Sequence, residues 1–196
     1  MATNDKPQTV HGGCLCEAVR YTINFPPDHD FIKAVRSICL PACLSILPCP
    51  LGLSNKDKTN SVGHSQPHLQ CSTCQCSQCR KQTGSLIFRV QKIPVSALTW
   101  DAQSTLGRYR ASEGCARGFC SACGSFLFWQ NESSGRISMT VGCFDKEDLR
   151  RYGKVLTYAE RHLWCDAEIE GVTDHLPGDK YKFDDEDGEV VLLSKK

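Results

Sequence analysis

Seven of the 14 cysteines in this 196-residue chain fall into three tight groups: Cys14 with Cys16, Cys74 with Cys76 and Cys79, and Cys120 with Cys123. Thiolates so closely spaced converge on one metal ion, and zinc takes four of them tetrahedrally. In the C-x-x-C pair Cys120/Cys123, the following Gly124 supplies the positive φ that a tight knuckle needs. A redox dithiol of the thioredoxin type shares this spacing, but the βαβ pattern it requires is missing. Two thiolates do not complete a tetrahedron, and Cys14/Cys16 are the natural second pair. The resulting four-thiolate site is closed and structural, worth on the order of 10 kcal/mol, so that losing one ligand costs the fold. The C-x-C-x-x-C triplet Cys74, Cys76 and Cys79 offers three ligands and leaves one position vacant, the pattern of a catalytic zinc. Cys71, three residues upstream, is the alternative fourth ligand that would close this site instead.

The elements that must position these cysteines read as mainly β. Val19, Tyr21, Ile23 and Phe25 alternate with Arg20, Thr22 and Asn24, a strand with one wet face. It follows a turn signal at Gly12-Gly13 and ends at Pro26 and Pro27. Further strand signals cover residues 86–90, 106–110, 126–129 and 135–143. Residues 145–151 offer one short helix with Asp145 at its N-cap, and residues 189–193 a last strand. No nucleotide-binding glycine loop and no serine-hydrolase elbow is present.

A formal net charge of +1 leaves no electrostatic footprint for nucleic acid or an anionic membrane. The first ten residues lack the features of a secretory signal, so cytoplasmic or nuclear residence is expected, where metal outranks disulfide as the use of cysteine. The longest apolar run, residues 38–53, is interrupted by Pro41, Pro48 and Pro50 and falls short of the ~20 residues that span a bilayer. Residues 37–70 stand apart, with charges only at Lys56, Asp57 and Lys58 and cysteines at 39, 43 and 49. They read as a late insertion or a translated intron, a hypothesis that transcript sequencing tests; loss of folding and zinc content on deleting the segment refutes it. The expected organisation is a flexible N-terminus over 1–11, one zinc-binding domain over 12–180 interrupted at about 37–70, and a C-terminal tail over 181–196.

Three stretches together resemble the family of glutathione-dependent formaldehyde-activating enzymes and centromere protein V: Gly13-Cys14-Leu15-Cys16 through Tyr21, Cys74 through Gly84, and Gly118-Phe119-Cys120 through Ser125. Asp174-His175-Leu176-Pro177 adds a D-x-L-P segment like that of the family. The resemblance implies an Mss4-like β-sheet fold with a structural zinc on Cys14, Cys16, Cys120 and Cys123 and a catalytic zinc on Cys74, Cys76 and Cys79. It further implies carbon–sulfur lyase chemistry, joining formaldehyde to glutathione as S-hydroxymethylglutathione or the reverse, with a small-molecule thiol and an aldehyde as partners. Two positions depart from the family pattern: Gln75 stands where histidine is common, and Glu17 where glycine is.

Within that reading, Arg80 and Lys81 are candidates to meet the carboxylates of glutathione, with plain surface cations as the alternative. Phe126, Phe128 and Trp129 are expected in the core rather than on a substrate wall. His162 is expected to be packed or exposed rather than a proton carrier. The rival functions are a non-catalytic zinc protein, either a glutathione carrier or a module docking protein or nucleic acid, for which a local patch of Arg80, Lys81 and Arg89 is the relevant feature.

Overall fold

The alternation beginning at Val19 is realised as strand β2 (Val19–Asn24), in which Val19, Tyr21 and Ile23 are fully buried. The structure, a computed structural model, describes residues 6–29, 31, 71–183 and 191–194. The segment read as an insertion, 37–70, lies outside the described residues. Strand β1 (Thr9–Gly13) pairs antiparallel with β2, and β5 (Leu98–Gln103) closes the other edge to make a three-stranded sheet. Gly12 and Gly13 therefore lie in a strand and not in a turn. Close packing demands the small residue there: a Cβ on Gly12 would stand 2.5 Å from the ring Cζ of Tyr21 and 2.6 Å from the Cys143 carbonyl oxygen. Pairing also begins at Thr9, opposite Asn24, so ordered strand reaches into the segment expected to be flexible.

Among the described residues the larger sheet has nine strands: β3 (Cys71–Cys74), β4 (Phe88–Pro94), β6 (Leu106–Ser112), β7 (Cys115–Cys120), β8 (Phe126–Asn131), β9 (Arg136–Thr140), β10 (Arg161–Leu163), β11 (Asp179–Tyr181) and β12 (Leu192–Ser194). Their order is β12-β11-β10-β3-β4-β9-β8-β7-β6, with β10 parallel to both β3 and β11 and the other pairs antiparallel. The fold is mainly β, of the Mss4-like kind. The strand expected at 86–90 starts at Phe88 and continues to Pro94, and the one expected over 135–143 stops at Thr140, where a 3-10 turn (Val141–Cys143) takes over. The last strand lies at Leu192–Ser194 and pairs with β11, so the expected tail carries sheet.

Between the two sheets lies one main core, in which Val10, Tyr21, Leu127, Phe128, Met139 and Phe144 are all buried. Helix α2 (Lys146–Thr157) covers it through Leu149, Tyr152, Val155 and Leu156, spaced for one helical face. It is longer than the 145–151 expected, because packing of its last turn outweighs the ~1 kcal/mol cost of Gly153. Asp145 occupies the N-cap position, but its carboxylate makes no capping bond. Instead it receives two bonds from the Arg20 guanidinium, 2.9 and 2.5 Å long, while Asp148 accepts the His11 backbone N–H at 2.7 Å. These bonds fasten β1 and β2, and with them the first cysteine pair, to the helix. Among the described residues, no helix is long and apolar enough to cross a membrane.

Candidate metal centres

Cys14 and Cys16 follow β1, Cys120 ends β7, and Cys123 lies in the turn beyond it, so two hairpin ends meet. The four sulfur atoms lie within 4.8 Å of one another. Cys14 to Cys16 is 3.5 Å and Cys16 to Cys120 is 3.7 Å. A tetrahedron with zinc–sulfur bonds of ~2.3 Å has edges of about 3.8 Å, so the donor set fits that ion. The surrounding groups favour thiolates at Cys120 and Cys123. The Val19 backbone N–H donates to Cys14 Sγ at 3.3 Å, and the Thr105 hydroxyl lies 3.1 Å from Cys120 Sγ. A hydrogen bond from the Ser125 hydroxyl, with a backbone bond from the same residue, pulls the Cys123 thiol down to about 5, and the Thr105 hydroxyl likewise lowers Cys120. Gly124 takes φ 77°, as the knuckle requires. At the other knuckle Glu17 takes φ 61°, in the left-handed region that L side chains resist.

The second group is built on a strand-to-helix corner. Cys74 ends β3, Cys76 is the N-cap of α1 (Ser77–Thr83), and Cys79 lies in the first turn, where its backbone N–H donates to Cys76 Sγ at 3.3 Å. Their sulfur atoms also lie within 4.8 Å of one another. Both clusters can thus hold a metal ion. Hydrogen bonds from the Cys74 and Cys79 thiols hold Cys76 well below the usual thiol range, and contacts with Cys76 and Cys79 push Cys74 well above it. Cys71 joins neither cluster. Three residues from Cys74 along a strand, it faces the opposite side, where it is buried in the main core and burial pushes its thiol up to about 12.

Beside the triplet opens a cavity of about 580 Å³, within the ~300–1,000 Å³ range of small-molecule sites. Cys74, Cys76 and Cys79 line it, with Phe88, Val90 and Trp129 as an apolar wall and Trp164 and Phe183 edge to face at 5.3 Å. Phe126 and Phe128 are buried as expected, but Trp129 is only partly buried, packs with Phe126 against Cys79, Phe88 and Val90, and forms part of this wall. Arg80 and Lys81 lie on the last turn of α1, where cations complement the carboxyl end of a helix, and neither lines the cavity. Two other cations do: Arg117 on β7 and Lys92 on β4, both buried. Sequence reasoning did not single them out, since nothing in a strand pattern marks a cation as inward-facing until the sheet is assembled.

His162 is packed, with 1% of its surface exposed. Its Nε2 lies 2.9 Å from the Pro177 carbonyl oxygen and must donate, so Nδ1 accepts from the Thr73 hydroxyl at 2.7 Å. Burial lowers its pKa, and the neutral ring ties β3 to β10 and to the Asp174–Pro177 region. Gln75 is buried too, its amide donating to Glu168 Oε1 and the Thr173 carbonyl, each at 3.2 Å. In the proposed basic patch, Arg89 already donates to the Thr157 carbonyl.

A family model described as glutathione-dependent formaldehyde-activating enzyme matches residues 59–167. That span contains Cys74, Cys76, Cys79, Cys120 and Cys123, while Cys14 and Cys16 precede it. Among solved structures, the crystal structure of a Rhodobacter sphaeroides protein, a structural-genomics target, aligns with a TM-score of 0.42 and 16% identity, covering 71% of this chain and 94% of that one. No curated protein matches the chain.

Proposed function

Because this chain belongs to the family of glutathione-dependent formaldehyde-activating enzymes, we propose that it is a zinc-dependent carbon–sulfur lyase acting on the adduct of an aldehyde and a small thiol. The adduct that fits the family is S-hydroxymethylglutathione, formed from formaldehyde and glutathione. One observation carries the reading: among the described residues three thiols, and not four, converge at the wall of a cavity large enough for a small thiol.

In this reading Cys14, Cys16, Cys120 and Cys123 hold a structural zinc, and Cys74, Cys76 and Cys79 hold the second, catalytic one. A zinc ion on the triplet supplies charge that lowers the pKa of an incoming thiol towards neutrality. The chain's own residues do the rest. The α1 cap fixes the Cys76 and Cys79 sulfur atoms, and the wall of Phe88, Val90 and Trp129 excludes water from the attacking sulfur. In the forward direction the substrate sulfur attacks the aldehyde carbon, a carbon–sulfur bond forms, the carbonyl pair moves to oxygen, and the thiol's proton ends on that oxygen; nothing is oxidised or reduced. Arg80 and Lys81 favour the approach of an anionic thiol without contacting the reacting atoms. The functional unit is a single domain, to whose sheets β1 from Thr9 and β12 also contribute, in a cytoplasmic or nuclear setting that keeps the thiols reduced.

Exchange NMR of formaldehyde with glutathione and with other small thiols, with and without protein, tests this together with zinc stoichiometry. Two zinc ions per chain, one exchangeable, and accelerated exchange are expected. One tightly held ion with no acceleration for any thiol refutes the enzyme and leaves a non-catalytic zinc protein.

A further inference from the structure

The cavity floor is a single row across the large sheet. Lys92 on β4 is paired with Ser138 on β9, Ser138 with Trp129 on β8, and Trp129 with Arg117 on β7. All four line the cavity. Arg117 is 4% exposed and carries a guanidinium cation. Its Nη2 donates to the neutral amide oxygen of Gln78 at 2.6 Å, while Nη1, also buried, has no hydrogen-bond partner among the described residues. A buried cation with an unused donor is costly unless an anion completes it. Asp166 is the one carboxylate on the cavity wall among the described residues, and it is exposed in the 3-10 turn Cys165–Ala167, while the thiol triplet is the other acidic group there. Gln78 immediately precedes Cys79 on α1, so the bond that orients Arg117 also fixes it beside the thiol triplet.

We infer that Arg117 is the receptor for a carboxylate of the thiol substrate, so that the cavity selects small thiols bearing a carboxylate over neutral ones. This rests on reading the cavity as the thiol site. Gln78 holds one arm of the guanidinium, and the free Nη1–H meets the substrate's carboxylate in a charge-assisted bond. Lys92, at the far end of the row and three strand spacings or ~14 Å away, places a second cation on the floor. Arg117 binds and orients the substrate and takes no part in bond making.

Calorimetric binding to the zinc-loaded protein tests the assignment with four ligands: glutathione, its diethyl ester, S-methylglutathione and 2-mercaptoethanol. Wild type is expected to bind glutathione and S-methylglutathione roughly 10- to 100-fold more tightly than the diester, the range of one charge-assisted bond. Arg117→Gln should reduce the acids to the level of the diester and leave the diester and 2-mercaptoethanol unchanged, with Arg117→Lys intermediate. Equal binding of acid and ester by wild type overturns the inference even if Arg117→Gln does not fold, and so does a variant that weakens acid and ester alike. If acid and ester bind equally while formaldehyde exchange is accelerated, the lyase stands and this inference falls. Arg117-dependent acid binding without accelerated exchange has the opposite meaning.

Discussion

Glu17 holds φ 61° at the knuckle between Cys14 and β2, a conformation that costs a side-chain-bearing residue about 1–2 kcal/mol. Part of that returns in the unfolded chain, which glycine leaves more disordered. Glu17→Gly is therefore expected to stabilise by about 0.5–1 kcal/mol, a Tm rise of roughly 1–4 °C by calorimetry for a chain of this size. His162 gives a pH dependence of definite sign. Its pKa is lowered by burial, against ~6.5 in the unfolded chain, so the unfolded state binds the extra proton. Its contribution to stability is complete above pH ~6.5 and is lost as the pH falls from there through the lower folded value. His162→Gln should lose stability at pH 7.5 yet show a shallower decline between pH 7 and 5.5, measured as urea midpoints against wild type. A steeper decline would mean that the ring is charged in the fold.

The elements matter chiefly as frames for sulfur. β1 and β2 carry Cys14 and Cys16, and they are held in register by contacts on both sides, the Arg20–Asp145 pair and the approach of Gly12 to Tyr21. Gly12→Ala forces a methyl group into a fully buried ring and a backbone carbonyl, an overpacking cost of about 1–3 kcal/mol. Denaturant unfolding should register that loss, and zinc should leave the four-thiolate site more readily while the triplet's zinc is little affected. Strands β3, β10 and β11 are three or four residues long and bury Thr73, His162 and Lys180, so they lack the apolar alternation that marks β2. Helix α1 is capped by a cysteine, outside the usual N-cap set, and at seven residues has no period to detect. Its sequence-level trace is limited to Arg80 and Lys81 near its end and Gly84 after it, which takes φ 68° at the C-cap.

At the scale of the molecule, the two thiol clusters play unequal parts. The four-thiolate cluster joins the small sheet to the end of β7 across about a hundred residues of chain, whereas the triplet comes from one local corner. On the proposed reading with two zinc ions, chelator titration should therefore be biphasic. The first equivalent of zinc is expected to leave with the far-ultraviolet circular dichroism intact, and the second only as that signal collapses, since structural zinc is worth on the order of 10 kcal/mol. Loss of both ions in one step with structure retained would remove the structural role. Cys79→Ser should abolish the first phase alone, and Cys120→Ser the second together with the fold.

What the sequence determined by itself was the chemistry and its grouping. Cysteine spacing is local covalent information, so the three clusters, their gathering into one group of four thiols and one of three, and the mainly β character of β2, β6 and β8 were legible before any packing was known. Tertiary structure decided which face each side chain serves. It turned Cys71 into the core three residues from a candidate ligand, brought Trp129 out of the core to a cavity wall, and withdrew His162 into a pair of hydrogen bonds. It also assembled Lys92, Ser138, Trp129 and Arg117 into one row from four strands separated by up to 46 residues of sequence. No spacing rule joins those positions. Their proximity is a property of strand order and register, and these are set by the burial of the whole sheet.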